Sequence, residues 1–176
     1  SITSKVTPVE FAGKKINLID TPGYSDFVGE AVGAMAVADV VCCLVDSVNG
    51  ADVSTARLDG YAQKFGKARV YFVNKADAER ADVDAALASI KDKLASGAAL
   101  FQMPIGKGQG FKGVVDLLNM RAYVSEGGHS KETDVPADMA EAAKEKRTAL
   151  MEAVAESDEA LLNKYLESGE LSEEEL

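Results

Sequence analysis

Polar turns that directly follow short apolar strands are the feature that most constrains this chain. The apolar runs at 16–19 and 70–73 pass at once into polar turns, Asp-Thr-Pro-Gly at 20–23 and Asn-Lys-Ala-Asp at 74–77. Between them lie a further apolar run at 40–45 and two segments with helical spacing. This alternation indicates a mostly parallel sheet joined by crossover helices. The carboxyl ends of parallel strands share one edge of a sheet, where α/β proteins bind ligands.

Residues 1–96 are expected to form one α/β domain, a mostly parallel sheet with helices on both faces. The run at 6–11 is followed, after a short turn, by the strand at 16–20, and the two predict a hairpin. The runs at 40–45 and 70–73 are unbroken and apolar, which is typical of central strands covered on both faces. The expected helices cover 26–37, 53–65 and 82–94.

Residues 97–176 differ in character and predict a separate, small α+β subdomain. Glycines cluster at 106–113 and indicate a turn region. Residues 126–135 are polar and predict a loop, and Pro136 suits the first turn of a helix. The expected elements are strands at 99–105 and within 114–124, and helices at 137–155 and 158–166 that turn Leu150, Val154, Leu161 and Leu162 towards the core.

The net charge of -10 lies in the last part of the chain. Residues up to 125 carry equal numbers of acidic and basic side chains, whereas 126–176 hold 15 acidic and 5 basic ones. Such a surface repels the phosphates of nucleic acids and attracts basic proteins. We therefore expect no direct nucleic-acid binding here. An ordinary solvated helical surface is the alternative to a binding surface.

Nothing in the sequence predicts export or membrane insertion. No run of about 18 apolar residues occurs, and the first residues are polar and lack a signal-peptide core. Cys42 and Cys43 are neighbours in an apolar run, so they point to opposite faces of a strand and do not form a disulfide. Two buried thiols in a reducing compartment are the expectation. We expect a cytoplasmic protein without membrane contact.

The turn at 74–77 has the chemistry to select guanine. The Asp77 carboxylate can accept hydrogen bonds from the ring N–H and the exocyclic amine of guanine, a pair of donors that adenine lacks. Asn74 would hold the loop and touch the base edge, and the aliphatic stem of Lys75 would lie along the purine face. Three residues alone are weak evidence, and a simple polar turn is the alternative. Their place at the end of an apolar strand favours the guanine interpretation.

The turn at 20–23 has the chemistry to bind phosphate and a metal ion. Asp20 at the strand end can hold Mg²⁺, generally through water, and the backbone N–H of Gly23 can reach a terminal phosphate because no Cβ blocks the approach. Pro22 stiffens the turn. Alone, the pattern also fits an ordinary turn from strand to helix. Two such turns at one sheet edge predict one site, with phosphate and metal at the first and the base at the second.

These motifs resemble those of the translational GTPases, and among them elongation factor G and its paralogues. Residues 16–23 resemble the third GTPase motif of that family and residues 73–77 the fourth. Residues 113–117 and 135–139 resemble the subdomain that the family inserts in its GTP-binding domain, and so does the chain from Leu162 onwards. The resemblance covers nearly the whole chain.

The resemblance implies a P-loop GTPase-type fold, GTP or GDP with Mg²⁺ as ligands, and the ribosome as partner. It also implies that the acidic subdomain at 97–176 docks the ribosomal stalk protein. It places the metal at Asp20 and Ser1. The nucleotide contacts that it implies are Asp20, Thr21, Pro22, Gly23, Tyr24, Asn74, Lys75 and Asp77.

Two departures from the family pattern matter for activity. The Gly-x-x-x-x-Gly-Lys-Ser/Thr phosphate loop is absent from these residues, so we expect a fragment of a longer protein that is inactive by itself. Tyr24 stands where the family usually has a histidine that positions the attacking water. A phenol carries no positive charge near neutral pH, which puts fast hydrolysis in doubt. A tyrosine there resembles the elongation-factor-G-like branch, and a substitution of little consequence is the alternative.

Three functions therefore stay open at this point. The leading one is a ribosome-associated GTPase that binds and hydrolyses GTP to drive or regulate a step of protein synthesis. The second is a GTP-binding switch that does not hydrolyse, which Tyr24 favours slightly. The third is a protein-interaction module that docks the ribosomal stalk protein through residues 97–176.

Overall fold

The chain divides into two compact units. The computed structural model describes residues 2–172 and 175. The first unit holds the described residues up to 74 together with 85–94, and the second holds 75–84 together with the described residues from 95 onwards. The loop at 75–84 thus groups with the second unit, although it directly continues a strand of the first. The domain boundary predicted between residues 96 and 97 stays a prediction.

The first unit begins with the predicted hairpin. Strand β1 (Lys5–Phe11) pairs antiparallel with β2 (Lys14–Asp20), and Phe11 lies opposite Lys14. The two residues between them, Ala12 and Gly13, have φ values of 49° and 72°. Positive φ at both central residues is the conformation that suits a two-residue hairpin turn, because its twist matches that of the strands.

A parallel strand pair with a crossover helix forms the centre of the first unit. Strand β3 (Val40–Asp46) pairs parallel with β4 (Ala68–Asn74), and helix α2 (Val53–Lys64) connects them. Helix α1 (Val28–Val37) precedes this pair and α3 (Val83–Lys93) follows it. The predicted α/β class is confirmed. Helix α1 begins after a 3-10 turn at Ser25–Phe27, which accounts for its late start.

The prediction that the central strands are covered on both faces was wrong. On one face of β3 Val45 is 1% exposed, whereas on the other Leu44 is 63% exposed. The facing residue of β4, Phe72, is 53% exposed. Among the described residues, β3 and β4 form a two-stranded sheet of their own, separate from the hairpin. An unbroken apolar run in a strand therefore does not by itself predict that both faces of the strand are covered.

A buried carboxylate ties α2 to β4. The Asp59 side chain accepts hydrogen bonds from Gln63 Nε2 at 2.9 Å, Arg69 Nη1 at 2.9 Å and Tyr71 Oη at 2.7 Å. Asp59 is 2% exposed, so its charge is held by these partners rather than by water. Burial and the hydrogen bond to the carboxylate raise the pKa of Tyr71, which keeps its hydroxyl a donor.

The second unit contains a four-stranded antiparallel sheet in the order β5-β6-β7-β8. Its strands are β5 (Gln102–Ile105), β6 (Gly113–Asp116), β7 (Arg121–Glu126) and β8 (His129–Asp134). The loop predicted at 126–135 was wrong, since most of it is β8. The turn between β7 and β8 consists of Gly127 and Gly128, with φ of 60° and 82°, and closes a tight hairpin. Strand β8 is polar on both faces, so it gives no hydrophobic alternation.

Two helices complete the second unit. Helix α4 (Ala140–Ala155) begins three residues later than predicted, because Pro136 opens a separate turn in which its carbonyl accepts from the N–H of Met139. Helix α5 (Glu159–Ser168) begins at an Asp158 cap. Leu162 is exposed, which contradicts its predicted core position. The buried core of this unit consists of Val115, Leu117, Ala122, Ala143 and Leu150.

The helices of the described residues are short compared with what a bilayer core requires. None of them is both long enough and apolar enough to cross a membrane.

The two neighbouring cysteines are expected to differ sharply in reactivity. Cys42 is exposed and Cys43 is buried, so the expectation of two buried thiols holds for only one of them. Burial and the Asp59 charge raise the pKa of Cys43 to about 11. A thiol alkylates as its thiolate, so at pH 8 iodoacetamide should modify Cys42 well before Cys43. Mass mapping over time measures this order. Equal rates in the folded chain, or faster loss of Cys43, would contradict the structure.

Replacing Asp59 by alanine should lower the free energy of unfolding by about 2 kcal/mol, because Arg69 and Tyr71 lose a buried partner. Urea denaturation of the chain measures the change. Asp92→Asn, at an exposed position of α3, is the matched control and should change stability by less than about 0.5 kcal/mol. The double variant Asp59→Ala/Arg69→Ala should lose less than the sum of the single losses, and strict additivity would argue against the pair.

Candidate functional site

The first predicted site turn leaves β2 at its carboxyl end. Asp20 is the last residue of the strand, lies opposite Lys5 and is exposed. Pro22 is buried and fixes the chain before the 3-10 turn. Gly23 is exposed, and a Cβ added there would meet no atom within 4 Å. The packing of the described residues thus does not require glycine at this position.

Tyr24 follows this turn with its ring directed into solvent. The side chain is 77% exposed, and its carbonyl accepts a hydrogen bond from the N–H of Phe27 at 3.0 Å. Beside it lies a small, mainly apolar cavity in the first unit. The residues that line the cavity come from the turn and from the two helices behind it, and they include Pro22, Val28, Ala31, Ser54, Arg57 and Leu58.

The second predicted site turn leaves β4 at Asn74, whose backbone is held by the neighbouring strand. Asp46 ends β3 directly opposite Asn74, and the N–H of Ser47 donates to the Asn74 carbonyl at 3.0 Å. Ser47 is buried. Asp46 Oδ1 accepts from the N–H groups of Val48 at 2.9 Å and Asn49 at 3.1 Å, which turns the chain away from β3. The end of β4 is thereby fixed in position.

The backbone turns sharply after Asn74. Lys75 has a φ of 59°, in the left-handed region that residues with a Cβ rarely adopt. Its carbonyl accepts from the N–H of Ala78 at 2.9 Å, which closes a turn around Asp77, and the Asp77 carboxylate is exposed. Strained backbone of this kind, about 1 kcal/mol or more per residue, is a recurrent mark of functional sites.

The predicted site residues are distributed over both units. The turn at 20–23, Tyr24 and Asn74 belong to the first unit, and Lys75 and Asp77 to the second. Ser1, predicted as a metal ligand, lies outside the described residues.

The number of possible metal ligands near Asp20 limits how the predicted Mg²⁺ could be bound. Among the described residues, no group of three or more His, Cys, Asp or Glu side chains surrounds a common point. A single exposed carboxylate such as Asp20 fits Mg²⁺ bound mainly through water and substrate phosphates, and it does not fit an all-protein cage.

Sequence reasoning missed the residues that support the second turn. Asp46 and Ser47 form a third polar turn directly after an apolar strand, and that position was a usable signal. The carboxylate of Asp59 had no such signal, because a polar residue in a helix usually faces solvent.

Comparisons with known proteins identify the family of the chain. Residues 1–169 match the family model described as the elongation factor Tu GTP binding domain. A crystal structure of a protein from Thermus thermophilus matches with a TM-score of 0.89 and 34% sequence identity. That match covers 99% of this chain and 26% of the Thermus chain, so this chain spans about a quarter of its relative's length.

The family match covers nearly all of the sequence, and the structural match extends over the same region at an identity well above the level that shows fold alone. Both agree with the predicted resemblance to translational GTPases, which is confirmed. This chain belongs to the family of elongation factor Tu GTP-binding domains, a family of translational GTPases.

Proposed function

We propose that the protein containing this chain binds GTP with Mg²⁺ and hydrolyses it on the ribosome, in a step of protein synthesis like that of elongation factor G. The observation that carries the proposal is the turn after β4. The left-handed Lys75 turns the chain there and leaves the Asp77 carboxylate exposed. Asp77 recognises the two guanine donors, Asn74 braces the loop, and the stem of Lys75 covers the base.

The turn after β2 is proposed to serve the phosphates. Asp20 holds Mg²⁺ through water, with Ser1 completing the ion's shell, and the N–H of Gly23 contacts the terminal phosphate. Thr21 and Pro22 shape the turn. Bound Mg²⁺ would neutralise the charge that develops on the phosphate oxygens. The open space at Gly23 is compatible with this assignment, because no atom of the described residues lies within 4 Å of where a Cβ would stand and the backbone N–H is open to approach.

Hydrolysis is proposed to be slow because of Tyr24. Its exposed phenol can place a water molecule through one hydrogen bond but brings no positive charge to the terminal phosphate. A switch that binds GTP without hydrolysing it is the alternative, and turnover separates the two. The 176 residues contain no Gly-x-x-x-x-Gly-Lys-Ser/Thr loop, so we propose that they are inactive without the rest of the protein.

A second candidate function is protein docking through residues 97–176, with the ribosomal stalk protein as partner. The outer surfaces of α4 and α5 support it, since they expose carboxylates that would attract a basic partner. The carboxylates of these helices include Glu141, Glu145, Glu152, Glu159 and Glu167, and the exposed Glu156 follows directly after α4. Binding of the stalk protein by the 176-residue chain, with affinity that falls as salt rises, would support docking, and affinity insensitive to salt would exclude this surface.

The variant Asp77→Asn of the intact protein should bind GDP about 100-fold more weakly, because charged hydrogen bonds to the base are lost. It should gain affinity for xanthosine diphosphate, whose exchanged carbonyl suits an amide donor. Calorimetry with both nucleotides measures this. Glu79→Gln removes an exposed carboxylate from the same loop and should leave GDP affinity unchanged. Unchanged guanine preference in Asp77→Asn would overturn the assignment of the base site.

The variant Tyr24→His should raise ribosome-stimulated GTP turnover of the intact protein by at least about tenfold, since a positioned imidazole contributes to proton transfer and charge stabilisation. The dissociation constant for GDP should stay the same, because the ring points into solvent. Single-turnover kinetics and GDP titration separate the two effects, with Tyr24→Phe as the control for ring shape. A Tyr24→His protein with unaltered turnover would refute the assigned role of Tyr24.

A further inference from the structure

We propose that the 3-10 turn Gly108–Gly110 positions the loop that carries Asp77, which makes Gly108 a positioning residue for guanine recognition. The inference rests on the proposed function. Its starting point is the division of the chain, in which residues 75–84 belong to the same compact unit as the turn. The base-recognition loop is therefore supported by a segment some thirty positions further along the sequence.

The contact between the turn and the loop is made at Gly108, where an added Cβ would crowd the backbone of the loop. Gly108 is buried and has a φ of 52°. A Cβ at this position would lie 3.2 Å from the carbonyl oxygen of Ala78 and 3.3 Å from that of Glu79. These distances are shorter than ordinary van der Waals contact, and both atoms are backbone. An alanine here would therefore push the loop immediately after Asp77.

The turn itself is closely folded and hydrogen-bonded. The N–H of Gly110 donates to the Lys107 carbonyl at 2.9 Å, and the N–H of Lys112 donates to the Ile105 carbonyl at 2.8 Å. A Cβ on Gly106 would stand 2.0 Å from the Gly110 carbonyl oxygen, which shows how closely the turn folds on itself. Strands β5 and β6 flank the turn, and Ile105 at the end of β5 pairs with Gly113 at the start of β6. The support behind the loop is thus held by its own hydrogen bonds and by the strand pair that flanks it.

Hydrogen bonds within the loop connect the residues that contact Gly108 to the predicted site residues. The N–H of Ala78 is bonded to the Lys75 carbonyl, and the N–H of Ala81 to the Ala78 carbonyl, each at 2.9 Å. Asp77 lies inside the first of these turns. A shift of Ala78 therefore changes the direction of the Asp77 carboxylate. The ion pair of Lys107 with Asp84, in the first turn of α3, has a length of 2.9 Å, but both side chains are 73% exposed and it adds little.

The test uses the intact protein and compares GDP with inosine diphosphate, which lacks the exocyclic amine. Gly108→Ala should weaken GDP binding about tenfold and reduce the preference for GDP over inosine diphosphate, because Asp77 no longer meets both donors. Gly127→Ala is the matched control. Gly127 lies in the same unit with a φ of 60°, so it carries the same backbone strain, but an added Cβ meets no atom within 4 Å. This control should keep the GDP preference.

A third variant separates the contact from the backbone strain. Gly108→Asn tolerates positive φ better than alanine, so it carries less backbone strain, yet it has the same Cβ and should lose the same preference. The melting temperatures of all three variants show whether each one is folded at the temperature of the binding measurement. If the wild-type protein binds GDP and Gly108→Ala keeps the same preference as Gly127→Ala, the positioning role is overturned while the proposed function stands.

Hydrogen exchange on the 176-residue chain gives a readout that needs no nucleotide. Gly108→Ala should speed exchange of the Ala78 and Ala81 amides relative to Gly127→Ala, because their hydrogen bonds lie in the displaced loop. Unchanged exchange there would overturn the positioning contact itself. Failure of the wild-type intact protein to bind GDP would overturn the proposed function, and with it the role in guanine recognition.

Discussion

The parallel pairing of β3 with β4 is the constraint on which the first unit depends. The two strands are in register from Val40 opposite Ala68 to Asp46 opposite Asn74, so they end together. Helix α2 joins them and is bound back to β4 through Asp59. Because both strands stop at the same level, the backbone after β3 can donate to the last carbonyl of β4, and the Asn-Lys-x-Asp turn starts from a fixed point.

Most of the first unit was predictable from sequence because each element carries its own signal. Strands β3 and β4 contain the unbroken apolar runs at 40–45 and 70–73, and α2 has a capping Asp52 at its start and a glycine after its end. The exposed face of Leu44 and Phe72 was not predictable, since a strand's composition does not state what covers it. In the second unit β8 was missed for the opposite reason: it has no apolar face, and only the two glycines before it indicated a hairpin.

The candidate site likewise combines features that the sequence predicts with features that it does not predict. The identity and order of Asn74, Lys75 and Asp77 are local, and so the chemistry of the turn was readable from sequence. The hydrogen bond from Ser47 and the contact of Gly108 join residues that are far apart in the chain. No periodicity encodes such contacts. They determine how accurately the turn is held, which is the property that base selection requires.

Both edges of the four-stranded sheet in the second unit are unsuited to recruit another strand. Strand β5 contains Pro104, which has no N–H to offer a neighbour. The opposite edge, β8, has the sequence His-Ser-Lys-Glu-Thr-Asp and is exposed along almost its entire length, so a pairing strand would have to desolvate charge. The sheet can therefore end at four strands without a covering element on either edge. The same polarity that hid β8 from sequence analysis protects the second unit against aggregation through its sheet.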